Sequence, residues 1–176
     1  MKAITLYEPW ATLIAIQAKK IETRSWGTRY RGPLAIHSAM NQLRWCKALE
    51  RTPFFKEALY PNGNYLYPWR NCGGVVAIVE LVNCIEIVTP IESMGMDLSD
   101  QELAFGDFTV FRYMWILEHK KRLDPPYQVR GRQGLWEWGC PEALEGYCIQ
   151  EKEAKKVPPV LKDGETYNME HETKER

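Results

Sequence analysis

The chain lacks a charge of one sign: 23 Lys and Arg are matched by 23 Asp and Glu among 176 residues. The low-hydrophobicity, high-net-charge composition of disordered chains is excluded. Long hydrophobic runs are missing too. No stretch approaches the roughly 20 apolar residues of a membrane span. Ala3 to Ala18, the most apolar amino-terminal segment, is broken by Glu8 and Pro9 and flanked by Lys2 alone, so it reads poorly as a signal peptide. A cytoplasmic protein without a membrane partner is expected. The five cysteines (Cys46, Cys72, Cys84, Cys140, Cys148) form no CxxC pair, which predicts free thiols and no metal site. Phosphate-loop, dinucleotide, H-E-x-x-H and G-x-S-x-G motifs are all absent, so no cofactor is expected and the common nucleotide-hydrolase, metalloprotease and serine-hydrolase readings fall away.

What the chain does have is aromatic weight, with seven Trp and nine Tyr, and a segmented charge distribution. Lys19 to Arg44 holds six basic residues against Glu22, and Arg112 to Arg132 holds six against Glu118 and Asp124. Between them, Asn71 to Phe111 has seven acidic residues and neither Lys nor Arg. If the two basic segments meet in space, they form a positive surface suited to phosphate.

Periodicity predicts strands over Ala3 to Tyr7, Lys20 to Trp26, Leu34 to Ser38, Val75 to Val82, Arg112 to His119, Tyr127 to Arg130 and Leu135 to Trp138. Helices are expected over Pro9 to Ala18, Asn41 to Leu59 with a division at Pro53, and from a Ser99 cap to Phe105. Tyr60 to Gly74 reads as a long loop. The β-branched run at Val75 to Val82 marks the centre of the core, and Glu80 within it requires an arginine or a strand end facing a cleft. Short strands and helices without regular alternation predict an α+β protein, a small mixed β-barrel with flanking short helices. The barrel domain is expected over 1–146, followed by a charged, partly disordered tail over 147–176.

Pro9-Trp10-Ala11, then Lys19-x-x-Glu22-x-Arg24-Ser25-Trp26, then Arg31-Gly32-x-Leu34-x-Ile36-His37 together resemble the signature of the ASCH domain family. Glu102-x-x-Phe105-Gly106-Asp107 and Arg112-Tyr113-x-Trp115 resemble its later blocks. The resemblance implies a PUA-like barrel whose cleft meets RNA or another nucleic acid. It also implies, as an alternative, a hydrolase of the same fold, acting on N4-acetylcytidine or as a ribonuclease. Gln17 stands where the family commonly has glycine, and Glu22 stands where deacetylating relatives have threonine.

On this reading Lys19 is the candidate base, with Glu22 or Glu102 as proton carrier, since a desolvated lysine loses basicity and a nearby carboxylate can shuttle its proton. Strand alternation would put Lys20 beside Glu22, whereas the resemblance selects Lys19. Arg24, Arg31, Arg130 and Arg132 are candidate phosphate contacts. Trp10 and Trp26 are candidate stacking surfaces, and His37 completes the binding set. The expected partner is RNA, another nucleic acid or a modified nucleoside. A protein-interaction module is a third reading, with no motif in its favour.

Overall fold

The computed structural model describes residues 1–41, 43–66 and 73–148. Six strands form one curled sheet, a half-barrel, in the order β2-β5-β4-β3-β1-β6. The strands are β1 (Lys2–Leu6), β2 (Ile21–Arg24), β3 (Gly32–Ser38), β4 (Gly74–Glu86), β5 (Tyr113–Gln128) and β6 (Leu135–Glu137). β1 and β3 run parallel and every other pair is antiparallel. Short helices flank the sheet: α1 (Trp10–Ala15), α2 (Arg44–Leu49), α3 (Pro53–Leu59), α4 (Asp100–Phe105) and α5 (Glu145–Cys148). The expected α+β barrel-like fold is therefore the observed one. No helix among the described residues is long and apolar enough to cross a membrane.

Helix α1 packs its Ala11, Ile14 and Ala15 against Leu34, Ile36, Val79 and Trp115 of the sheet. Glu8 serves one of its amino-terminal N–H groups: Oε2 accepts from the Thr12 amide at 3.1 Å while Oε1 accepts from Ser38 Oγ at 2.7 Å. The helix stops at Ala15 rather than Ala18 because Gln17 turns left-handed, φ 65°. That conformation is the one glycine favours, and it sends the amides of Ala18 and Lys19 back to the Leu13 carbonyl. The chain reverses into β2 with Lys19 at the turn.

Four other sequence readings change in detail. α2 begins after Leu43, so Asn41 is not its cap. β5 is one long strand where two were expected. Val75 pairs with Tyr127 and Ala77 with Arg122, so the intervening residues, including Pro125 and Pro126, are accommodated in a bulge where proline needs no ladder N–H. Glu80 is paired, but with Lys120, at 2.7 Å across the β4–β5 ladder. Among the cysteines, Cys46 and Cys84 are free, whereas Cys140 is disulfide-bonded, which corrects the free-thiol reading there. Sequence spacing does not reveal which thiols a fold brings together. Part of the expected 60–74 loop and nearly all of the expected tail lie outside the described residues.

Candidate functional site

A cleft of about 1400 Å³ opens beside the sheet. One wall comes from β2 and the turn after α4, another from α2, and the rim from the 129–134 loop that joins β5 to β6. The two basic segments meet here: Arg24 comes from the first, and Arg112, Arg130 and Arg132 come from the second.

Behind the β2 wall lies a buried charge cluster. The Lys19 ammonium is fully enclosed, donates to the Phe105 carbonyl at 2.9 Å, and lies 3.9 Å from both Glu22 Oε2 and Glu102 Oε1. Burial lowers the Lys19 pKa, opposed by the two carboxylates. Burial likewise raises that of Glu22, opposed by Lys19, Arg24 and Arg112. Glu102 is held differently. Its two oxygens accept the backbone N–H groups of Lys20 and Ile21, at 3.0 and 2.9 Å, so α4 is tied to the start of β2. The helix presents Glu102 in that direction because Ser99 caps it, accepting from the Glu102 amide. Of the three, Glu22 alone lines the cleft.

The four cleft arginines divide into two kinds. Arg24 lies 3.6 Å from Glu22 Oε1 and over the Trp26 ring. Arg112 is bound by Asp107, 3.3 Å to its carboxylate, and donates to the Thr23 carbonyl. Arg130 and Arg132 are exposed and make no ion pair among the described residues. Their loop is nonetheless anchored. Thr5 Oγ1 donates to the Arg132 carbonyl at 2.8 Å, and His37 Nε2 meets the Val129 carbonyl at 3.0 Å. The carbonyl partner assigns the imidazole proton to Nε2. Gly131 lies so close to this histidine that a Cβ there would approach its Cε1 to 2.4 Å. Backbone oxygens thus hold the loop, and neither guanidinium is ion-paired among the described residues.

Trp10 also lines the cleft, with its Nε1 donating to the Phe105 carbonyl at 2.8 Å. Trp26 and Arg31 lie outside it. Trp26 packs edge-on against the buried Trp115, with ring centroids 4.8 Å apart, because β2 ends at Arg24 and no longer directs that residue towards the cleft. Arg31 donates to the carbonyls of Thr28 and Tyr30 and to Asn83 Oδ1, fastening the β2–β3 turn to β4.

The structure adds residues that sequence reasoning passed over. Trp45, Met40 and Tyr7 are exposed and line the α2 side, and Asp107 with Arg112 forms the corner beside β2. A signal for Trp45 existed: Cys46, Leu49 and Glu50 share the inward face of α2, which leaves Trp45 one position off it.

A half-barrel sheet flanked by short helices, with a cleft of mixed arginine and aromatic lining, defines a small α+β barrel-like domain. Within that class the assignment is specific, because the ASCH domain family matches residues 4–153 and the chain belongs to that family. No curated protein matches the chain.

Proposed function

We propose that the cleft binds nucleic acid, RNA first, with Arg130 and Arg132 taking phosphate oxygens. The observation that carries this reading is the contrast among the cleft arginines: two are engaged by carboxylates, and two stand exposed on an anchored loop without a carboxylate among the described residues. A guanidinium carried on an anchored backbone and left without an ion pair among the described residues is available to phosphate. Family membership favours the same reading. The test is affinity for a short RNA across a salt series. Binding should weaken steeply with salt, and Arg130→Ala and Arg132→Ala should each flatten the slope of log K against log salt by about 0.7, the value for one phosphate contact on a single strand. Salt-insensitive binding rejects the proposal.

A second reading is favoured by one observation, the buried Glu22 carboxyl that faces the cleft with its pKa raised. Here the protein hydrolyses a modified nucleoside, such as N4-acetylcytidine, or an RNA phosphodiester. Glu22 carries the proton, while Lys19 and Glu102 act through it as positioning residues. Mass spectrometry of both substrates after incubation tests this: turnover lost in Glu22→Gln supports it, and intact substrates reject it.

A further inference from the structure

We infer that the ligand is a single strand whose bases stack on Trp45 while its phosphates follow the loop of Arg130 and Arg132. This rests on the nucleic-acid reading above and deepens it. Trp45 is 56% exposed although it is the largest side chain of α2. An open indole that continues into other exposed apolar side chains at a cleft wall marks an interaction surface. The ring has a firm backing. Trp10 lies 5.5 Å away at 57°, and its own position is fixed by the bond to the Phe105 carbonyl. Met40, 73% exposed, and Tyr7, 45% exposed, continue the apolar surface within the same cleft.

Charge complementarity commits this surface to nucleic acid rather than to an apolar peptide. Arg130 and Arg132 supply the rim of the cleft, and Arg44, Lys47 and Arg51 stand exposed on and beside α2, outside the cleft lining. The apolar faces of Trp45, Met40 and Tyr7 thus line the same cleft as Arg130 and Arg132. A duplex hides its base faces inside the stack and presents phosphates outward, so it can satisfy the rim but not Trp45. A single strand with splayed bases can satisfy both, with stacking that tolerates any base.

The experiment uses fluorescence anisotropy with a labelled oligouridine, a duplex RNA of equal length, and the full chain as wild type, Trp45→Ala and Trp45→Phe. The single strand should bind at least ten-fold more tightly than the duplex. Trp45→Ala should weaken it about five- to a hundred-fold, and Trp45→Phe, which retains an aromatic face, should recover most of the loss. Circular dichroism establishes that each variant is folded. Equal affinity for single strand and duplex, or an unaffected Trp45→Ala, overturns the inference while salt-sensitive binding leaves the nucleic-acid reading standing. Absence of binding to every oligonucleotide at low salt overturns both.

Discussion

Two walls of one cleft hold charge in opposite ways. On the β2 wall, Lys19, Glu22, Glu102 and Arg24 satisfy one another or the backbone, and the ammonium is removed from solvent altogether. On the β5–β6 rim, Arg130 and Arg132 have no carboxylate partner among the described residues, and the backbone around them carries the anchoring. Mutual satisfaction makes a cluster part of the fold, while lack of a partner leaves a side chain available to a ligand. The difference separates residues that build the site from residues that face its occupant, which residue type alone does not do.

The sharpest way to break that comparison is to remove Lys19. Lys19→Ala leaves two carboxylates facing an emptied, buried position, and breaking a buried ionic cluster costs about 3–5 kcal/mol, so the urea midpoint should fall substantially. A loss below 1 kcal/mol would place Lys19 with the rim arginines instead. Next in size is Gly131→Ala, whose methyl would press on the His37 ring. Overpacking of this kind costs about 1–3 kcal/mol. Because the same loop carries Arg130 and Arg132, RNA affinity should drop together with stability, and a change in only one of the two would uncouple the loop from the histidine.

The buried carboxyl gives a pH signature. Burial raises the Glu22 pKa in the fold, so its contribution is fully present below the ordinary value of 4.5 and is lost as pH rises through the raised value. Glu22→Gln abolishes that loss. Urea melts from mildly acidic to neutral pH should therefore show the variant gaining on the wild type as pH increases, and parallel curves would remove the desolvation argument. The smallest effect is expected at the rim, where Arg130→Ala combined with Arg132→Ala should change stability by no more than about 0.5 kcal/mol. A larger thermal shift would mean that these side chains are structural after all.

Much of the fold was legible where the local chemistry is strong. Pro9 marked the start of α1, Ser99 the cap of α4, and Val75 to Val79 the buried centre of the sheet. The length of β5 was not, because Pro125 and Pro126 read as a terminator unless the partner strand shows that a bulge takes them. Gln17 concealed a left-handed turn that glycine would have advertised. At the site, strand parity favoured Lys20, but Lys19 precedes the strand and is placed by the turn, so alternation does not govern it. Arg31 and Trp26 were drawn into the candidate set by residue type, yet their roles follow from where β2 ends and the turn begins. Trp45 carries no motif at all, and only its offset from the inward face of a short helix distinguishes it.

The Phe105 carbonyl accepts both the Lys19 ammonium and the Trp10 indole N–H. One peptide oxygen at the end of α4 therefore joins the ionic wall to the aromatic wall. No replacement of the residue-105 side chain can delete that acceptor; only a shift of the main chain can. An alanine scan would register position 105 only through the lost packing of its ring against Leu13, Phe55 and Leu59. The junction of the two walls would escape such a scan, and an ester in place of the peptide bond after residue 105, which weakens the carbonyl as an acceptor, is the substitution that would reveal it.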